Sequence, residues 1–417
     1  MGDHPLLKTG VGTQSLNVFE ALVDSGLFCI RSIGGNTGKA HELKKIGVGS
    51  VKEYGDDFVA MCVPEFGDKE SMRSFLRTER PDIIWFMTDP RFYEWLWDME
   101  DEIRATTPMV YYHVWDNYPI PSYNEYYYDS TDEIVAISKL TKDVVEKVSK
   151  THKDVKYIPH CIDSNQYKPL DDEEVSKFKK EFFPNIPDEA RVFFYNSRNA
   201  RRKQTGSLLF WFKELIDKVG RGKAHLLLKT DVCDYHGTDL EAIAVFLGIT
   251  NDITFVTQVL PNEALNKLYN LADVTVSVSD AEGFGLSTLE SMNAGTPIMA
   301  PATGGLSDQL RDDEGNLYGF EIPIASRAIV GSPQTPWVYE DRLSGDDVVS
   351  VMETIVNMSR EDLKKMGARA REEHVMKNFN FENFKKEWVD FMLSVHEKHG
   401  SYPNKTYKKY EILDIVS

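Results

Sequence analysis

The chain has 417 residues, of which 48 are basic and 66 acidic, and its formal net charge is -18. One hydrophobic core rarely organises a chain of this length, so the sequence predicts two domains of ordinary size. The acidic balance disfavours nonspecific attraction to nucleic-acid backbones and anionic membranes. An anionic ligand would therefore need a local basic site.

The sequence gives no sign of a membrane span, a leader segment or a metal site. No apolar run approaches the roughly 18 residues of a spanning helix, and the first residues lack a basic segment followed by an apolar one. We therefore expect a cytoplasmic protein. The four cysteines (Cys29, Cys62, Cys161 and Cys233) lie far apart and form no Cys-x-x-Cys pair. They are expected to be buried thiols rather than metal ligands or disulfides.

In the first part of the chain, short apolar runs alternate with segments of helical period, which predicts an α/β fold with parallel sheets covered by helices. The candidate strands are 27–33, 59–63, 82–87, 109–113, 133–137 and 155–158. Residues 1–9 contain little apolar sequence, so a first strand is expected to be missing, shortened or lost. Gly10, Gly12 and Thr13 open a helix, but the third glycine and the preceding strand of a dinucleotide fingerprint are absent.

An aromatic cluster surrounds His113 at the end of the strand predicted at 109–113. The carboxyl ends of strands are where open α/β sheets bind ligands, which favours a role for His113 in a site, although a lone histidine is often structural. Aromatic faces stack on sugar rings and on nucleobases, and core packing is the alternative for about half of the cluster. Its members are Tyr111, Tyr112, Trp115, Tyr118, Tyr123, Tyr126, Tyr127 and Tyr128.

A Pro- and Asp-rich stretch at 168–174 precedes a second series of strands, predicted at 191–196, 224–229, 252–256, 273–278 and 296–300. We place the domain boundary near residue 168. The pattern predicts a helix at 261–272 with Pro261 in its first turn, and a long loop at 312–345 that is either a lid or an insertion. A final helix begins near residue 381.

The most informative segment runs from Asp280 to Pro297, directly after the strand predicted at 273–278. A strand, a glycine turn and a helix form an anion-binding geometry, because the helix N-terminus offers free N–H groups to phosphate. Glu282 is expected in the turn and Glu290 in the first helical turn. The alternative for Glu290 is a capping box with Ser287, in which the carboxylate only satisfies a backbone donor.

This segment resembles the Glu-x7-Glu signature of retaining nucleotide-sugar glycosyltransferases of the glycogen synthase and sucrose synthase type. Arg198 and Lys203 match the Arg-x4-Lys pair of that family, and the flanking segments 273–278, 295–300, 137–141 and 158–163 are also typical. The resemblance implies the GT-B fold, in which two doubly wound Rossmann-like domains face each other across a cleft. The donor domain would be 168–380, and the acceptor-side domain would be 1–167, with 381–417 packing back on it.

The resemblance also implies roles for individual residues. Glu282 would contact hydroxyls of the transferred sugar, Glu290 the ribose hydroxyls, and Arg198 and Lys203 the diphosphate, with no metal and no other cofactor. His113 would polarise the sugar or touch the acceptor, and Gly12 would lie at the mouth of the cleft near the donor phosphate. Arg201 and Arg202 have no counterpart in the family and are expected to be a solvated face. The remaining donor contacts would come from the glycine turn, at Gly283, Phe284, Gly285, Leu286 and Ser287.

Together these features predict an enzyme, a retaining glycosyltransferase that moves a sugar from a nucleotide-diphosphate sugar to a hydroxyl acceptor. The alternatives are a GT-B phosphorylase, a nucleotide-sugar epimerase, and a catalytically idle protein that only binds nucleotide sugars. The acceptor is expected to be a glycan or a small molecule. A hydroxylated DNA base is a further alternative, because of the aromatic cluster and the local arginines.

Overall fold

The computed structural model describes residues 1–35, 43–45 and 53–402, with the backbone alone for 43–45. The chain forms two α/β units and an antiparallel hairpin. The last part of the predicted segment 381–417, from residue 403 onward, lies outside the described residues.

The described residues of the first unit form eight strands in two four-stranded groups, ordered β1-β2-β4-β3 and β5-β6-β7-β8. All neighbours are parallel except β3 and β4. Met1 joins the two groups, because its ammonium donates to the Trp85 carbonyl at 2.6 Å and its carbonyl accepts from the Met87 N–H at 3.1 Å. The strands are β1 (Gly2–Asp3), β2 (Ile30–Gly35), β3 (Leu43–Lys45), β4 (Phe58–Cys62), β5 (Ile84–Thr88), β6 (Met109–His113), β7 (Glu133–Ala136) and β8 (Lys156–Tyr157).

Most helices of the first unit connect these strands. Thr9 caps the first of them, since its Oγ1 accepts from the Gly12 N–H at 3.0 Å. The helices are α1 (Gly10–Asp24), α2 (Lys69–Glu79), α3 (Glu94–Trp97), α4 (Glu100–Arg104), α5 (Glu125–Asp129) and α6 (Lys139–Val148). The first strand is present but has only two residues, because 1–9 supplies so little apolar sequence.

The second unit is a six-stranded parallel sheet in the order β11-β10-β9-β12-β13-β14. This is the doubly wound arrangement in which the chain starts in the middle, builds outward on one side and then on the other. The strands are β9 (Arg191–Asn196), β10 (Ala224–Lys229), β11 (Ile253–Val256), β12 (Val274–Val276), β13 (Ile298–Pro301) and β14 (Phe320–Ile322).

The helices that cover this sheet include one that begins a residue later than predicted. Pro261 is the N-cap of α10 rather than a residue of its first turn, because its extended backbone lies just outside the helix. The helices are α7 (Asp172–Phe182), α8 (Thr205–Val219), α9 (Leu240–Leu247), α10 (Asn262–Leu271), α11 (Leu286–Asn293), α12 (Leu306–Leu310), α13 (Gly345–Asn357) and α14 (Arg360–Arg369).

Much of the segment predicted as a long loop is instead an antiparallel hairpin. Strands β15 (Ile324–Ser332) and β16 (Thr335–Leu343) pair with each other and with no other described strand. The prediction of a loop at 312–345 was wrong because exposed strands with charged and small residues on both faces lack the apolar alternation of a half-buried strand.

The chain returns to the first unit at its end. A π-helical turn at Ala370–Val375 and the short α15 (Met376–Asn378) lead into α16 (Phe381–His399), which packs on α1. Trp388 is fully buried there, with its ring centroid 6.0 Å from that of Trp85 and 4.9 Å from that of Tyr112. The boundary near residue 168 remains a prediction.

The cysteines only partly match the expectation. Cys62 and Cys161 are buried, whereas Cys29 and Cys233 are exposed, so the prediction of four buried thiols was wrong for two of them. Both exposed residues lie outside the named strands, in connecting segments.

Candidate functional site

The candidate site lies where two neighbouring strands of the second sheet end. β9 and β12 are adjacent and parallel, and the chain winds in opposite directions from them. In open α/β sheets this switch point creates a crevice at the carboxyl ends of the strands. The loops that follow β9 and β12 are joined to each other, because the Asp280 N–H donates to the Arg202 carbonyl at 2.8 Å.

Lys203 and Glu282 meet in this crevice as an ion pair. Their side chains are 12% and 16% exposed, so the pair is largely withdrawn from water. Burial disfavours the charge on Glu282, but Lys203 and Arg202 outweigh it and lower the pKa of this carboxyl. Burial, with the charge of Arg202, also lowers the pKa of Lys203 despite its partner. The structure thus joins two predicted site residues that are far apart in sequence.

Arg198, the other predicted diphosphate ligand, is not part of that pair. Its guanidinium donates to both carboxylate oxygens of Asp234, at 2.7 and 3.1 Å, and its side chain is 61% exposed. This ion pair and the N–H of His236 lower the pKa of Asp234 to about 2. In the structure Arg198 therefore binds a carboxylate at the outer edge of the crevice.

Only one of Arg201 and Arg202 is placed differently from what the sequence indicated. Arg202 donates to the Ala281 carbonyl at 2.6 Å and lies 3.8 Å from the Glu282 carboxylate. Arg201 forms a two-pronged ion pair with Glu340 of β16. Arg201 lines the cavity but is 63% exposed, which agrees with the predicted solvated face. That prediction was wrong for Arg202, because its guanidinium turns toward Glu282 and its side chain is 38% exposed.

The glycine turn after β12 brings the backbone close to the first unit. A Cβ on Gly283 would lie 2.9 Å from Val114 Cγ1 and 3.0 Å from Asp116 Oδ1, so a larger residue would not fit without movement. Gly285 has a φ of +94° and precedes α11 without any side chain to cap it. The first N–H groups of α11, which include those of Leu286 and Ser287, have no partners within the helix. The turn that also contains Phe284 is therefore suited to bind an anion.

Glu290 does not form the capping box that was the alternative for it. It lies in the second turn of α11 rather than the first, and its carboxylate accepts a hydrogen bond from the Tyr269 hydroxyl at 2.5 Å. Burial raises its pKa to about 7, against the hydrogen bonds from Tyr269 and Tyr167. Neither tyrosine was singled out from the sequence. Tyr269 is part of the apolar stripe of α10, where a core residue and a site residue look alike.

His113 and Gly12 lie in the first unit. His113 is fully buried, its Nε2 is 2.8 Å from the Tyr128 hydroxyl, and burial lowers its pKa to about 3. Nothing among the described residues is hydrogen-bonded to its Nδ1. The Gly12 N–H is already donated to Thr9. Its neighbour Gly10 faces α11, since a Cβ there would lie 3.5 Å from Leu286 Cδ1.

A cavity of about 570 Å³ lies between the first unit, the arginines of the crevice and the hairpin. The first unit contributes the segment at Asp116, which follows β6, and four aromatic side chains that line one side. Asp116 was not identified from the sequence, since a single acidic residue after a strand gives no specific signal. The four aromatic residues are Phe66, Phe92, Tyr93 and Trp115.

The aromatic cluster around His113 is divided between core and cavity. Tyr111, Tyr112 and Tyr128 are fully buried, whereas Trp115 lines the cavity and Tyr126 is half exposed. The Tyr123 hydroxyl donates to the Trp337 carbonyl of β16 at 2.6 Å. Packing therefore accounts for several members, as the alternative interpretation held.

The described ranges contain neither a metal-binding cluster nor a membrane-spanning helix. Residues 1–35 and 53–402 contain no group of three or more His, Cys, Asp or Glu side chains arranged to hold a metal ion. Among the helices described, none has the length and apolar character that crossing a bilayer requires.

Comparison with known proteins places the crevice within a recognised domain. Residues 176–327 match the model of the family described as glycosyl transferases group 1. This segment is similar to the group 1 glycosyltransferase domain. It includes the loops after β9 and β12, with Lys203 and Glu282, and ends inside β15.

One similar curated protein is the D-inositol 3-phosphate glycosyltransferase of Corynebacterium jeikeium. It is 28% identical over 176 residues, which cover 42% of this chain and 41% of that protein. The chain spans less than half the length of the first curated relatives it matches.

Solved structures of other proteins resemble this chain over nearly its whole length. Sucrose-phosphate synthase from Thermosynechococcus elongatus matches with a TM-score of 0.71 at 16% identity, covering 94% of both chains. Anabaena HepE in complex with UDP and glucose matches with a TM-score of 0.67 at 14% identity, covering 94% of this chain and 98% of that one. The GT-B prediction, two doubly wound domains facing across a cleft, is confirmed.

Proposed function

We propose that the protein transfers a sugar from a nucleotide-diphosphate sugar to a hydroxyl acceptor, with retention of configuration and without a divalent metal. The observation that carries this proposal is the ion pair between Lys203 and Glu282 at the switch point, beside the uncapped N-terminus of α11. The likeness of the group 1 domain to enzymes named as glycosyltransferases supports it.

The diphosphate would bind to the N–H groups at the start of α11, where the helix dipole and free donors favour negative charge. Lys203 would move from a partnership with Glu282 alone to one shared with the diphosphate. Arg198 would leave Asp234 to provide the second cation. Fixed cations stabilise the charge that the leaving group gains as its bond to the sugar breaks.

Glu282 would then accept hydrogen bonds from hydroxyls of the transferred sugar, and Glu290 from the ribose. The paired tyrosines would keep the Glu290 carboxylate oriented when it is ionised. His113 has a buried Nδ1 without a hydrogen-bond partner among the described residues, and a sugar hydroxyl could donate to it. Gly12 would contribute close approach of the backbone rather than its N–H, which Thr9 occupies.

In the transfer step, the bond between the anomeric carbon and the phosphate oxygen breaks while a bond to the acceptor oxygen forms on the same face. The acceptor hydroxyl gives its proton to the departing phosphate oxygen. No protein nucleophile is required. The donor domain would comprise 168–380, and the acceptor side would comprise 1–167 with α16.

The proposal is tested first with a panel of nucleotide-diphosphate sugars in a thermal-shift assay, because a ligand that binds only the folded state raises the melting temperature. The stabilising donor is then incubated with acceptors, with and without EDTA. We expect release of the nucleoside diphosphate, a product with the donor's anomeric configuration by NMR, and no effect of EDTA.

The alternatives give different results in the same assays. An epimerase would convert the donor without an acceptor, and a phosphorylase would cleave a glycoside only when phosphate is supplied. A protein that only binds nucleotide sugars would be stabilised without releasing diphosphate. An inverted product, or activity that EDTA abolishes, would contradict the mechanism proposed above.

A further inference from the structure

We infer that the β15–β16 hairpin forms one wall of the acceptor pocket and restricts the acceptor to a compact polyhydroxylated molecule, of monosaccharide or disaccharide size. This inference rests on the proposed function and specifies its second substrate. The group 1 match ends at residue 327, so the second half of β15 and all of β16 lie outside it.

The hairpin is fixed to both sides of the cleft. Toward the second unit, the Asp341 N–H of β16 donates to the Asp280 carbonyl at 2.7 Å, and Arg342 forms an ion pair with the Asp280 carboxylate. Toward the first unit, the Tyr339 N–H donates to the Tyr118 carbonyl at 2.5 Å, and Asn117 Nδ2 donates to the Asp341 carboxylate at 2.8 Å. A hairpin with anchors on both units is a fixed wall.

The cavity behind this wall has the size of a small-molecule site. Its volume of about 570 Å³ lies within the range of sites for small molecules. The hairpin supplies one side of it through Val330, Val338 and Glu340. Because the hairpin bridges the two units on this side of the cavity, we expect it to hinder the passage of a polymer chain there.

The chemistry of the lining suits a sugar or a cyclic polyol. Phe66 and Phe92 stack with their ring centroids 4.7 Å apart, and Phe92 remains 47% exposed at the cavity. Aromatic faces of this kind pack against the C–H face of a sugar ring. Asp116 adds a carboxylate that accepts hydrogen bonds from hydroxyls, and among the described residues no hydrogen-bond donor is seen on it.

The alternation of the strand provides a matched pair of positions for a test. Val330 faces the cavity and is paired across the hairpin with Val338. Its neighbour Ile329 is 56% exposed and is not part of the lining. Successive residues of a strand point to opposite faces, so the same substitution fills the pocket at one position and enters solvent at the other.

The experiment compares wild type, Val330→Trp and Ile329→Trp. Each is assayed for diphosphate release with no acceptor, then with monosaccharides, disaccharides and cyclitols, and then with long oligosaccharides and polysaccharides. Thermal unfolding establishes that both variants are folded. Donor hydrolysis by water serves as the separate check on the proposed function.

We expect wild type to use compact acceptors and not the polymers. Val330→Trp should raise the KM for the compact acceptor about tenfold, which corresponds to ~1.4 kcal/mol, because the indole would occupy space that the acceptor needs. Donor hydrolysis by Val330→Trp should stay within about twofold of wild type. Ile329→Trp should stay within about twofold of wild type in every assay.

Three outcomes overturn the inference while leaving the proposed function intact. They are transfer to polymers by wild type, no transfer to any compact acceptor despite donor hydrolysis, and equal effects of the two tryptophans. If diphosphate is never released under any condition, the proposed function itself fails, and the inference fails with it.

Discussion

The two sides of the cleft are built in different ways. The proposed donor side is built mainly from one continuous segment, in which β12, a glycine turn and α11 follow one another within 274–293. The loop after β9 packs beside this segment. The acceptor side gathers residues from opposite ends of the chain, from Asp3 to Glu340. A site built from one continuous segment gives a recognisable sequence motif, whereas a surface assembled from distant segments gives almost none.

The two sides also differ in electrostatics. At the centre of the donor side the charges of Lys203 and Glu282 are buried and paired, whereas Arg198 at its edge is 61% exposed. On the acceptor side they are shared among partly exposed groups such as Arg91 and Asp89, whose ion pair has side chains 39% and 32% exposed. Because withdrawal from water strengthens electrostatic interactions, single changes on the donor side should have the larger effects.

The largest effect is expected from Lys203→Met, which keeps the length of the side chain and removes its charge. Loss of one fixed donor to a developing anion costs about 10²–10³ in kcat, and Glu282 is left without its main partner. Steady-state kinetics with the identified donor measure the loss. Lys213→Met, which breaks only a helical surface pair with Asp217, is the control and should be close to wild type. An unchanged kcat in Lys203→Met would contradict the expectation that single changes on the donor side have the larger effects.

A smaller effect on the same side is the pH dependence that Glu290 gives to the stability of the protein. Its pKa of about 7 in the folded protein compares with an ordinary value of 4.5. Between these values the folded state holds a proton that the unfolded chain has released, so the contribution of Glu290 to stability is present below pH 4.5 and lost as pH rises through about 7. This contribution of Glu290 to the free energy of unfolding is at most about 3 kcal/mol.

Glu290→Gln should remove that part of the pH dependence. Urea unfolding of wild type and variant at pH 5 and pH 8 measures it, as a fall in wild-type stability at the higher pH that the variant lacks. Glu263→Gln, at a largely exposed position of α10, is the control and should follow wild type. If the stability of Glu290→Gln changes between pH 5 and pH 8 as much as that of wild type, Glu290 is ionised over this whole range. Its tyrosine partners then donate to a carboxylate rather than to a protonated carboxyl group.

Much of the fold followed from the sequence, because buried strands have a short-range signature. β6, β9 and β10 begin and end where the apolar runs predicted. The hairpin did not follow, since its stability comes from anchors such as Asn117 and Asp341 rather than from an apolar face. Tertiary contacts decided its conformation, and no local pattern records them.

For the candidate site, the sequence singled out residues of the proposed donor side but not the side chains with which they pair. Lys203 and Glu282 were both predicted, and the adjacency of β9 and β12 brings them together. The pairing of Arg198 with Asp234, and the turn of Arg202 toward Glu282, depend on loop conformations that the sequence alone does not specify.

The acceptor side is tested by Asp116→Asn, a change of similar size that removes one charge from the cavity. A hydrogen bond to a charged acceptor is worth about 1.5–3 kcal/mol, so the acceptor KM should rise about tenfold. Donor binding by calorimetry should change much less. Asp89→Asn is a useful comparison, because that carboxylate is already occupied by Arg91. A loss confined to donor affinity would assign Asp116 to the donor side and weaken the contrast between the two.

The smallest effect is expected at the outer edge, with Asp234→Asn. Arg198 must leave Asp234 to reach the diphosphate, and solvent screening makes an ion pair with so exposed an arginine weak. Freeing the guanidinium should therefore tighten donor binding about two- to fivefold in calorimetry. Asp231→Asn, which acts on Arg198 only through its charge, is the control. If Asp234→Asn instead weakens donor binding, the pair orders the crevice rather than competing with the ligand, and Arg198 belongs to the scaffold of the donor side.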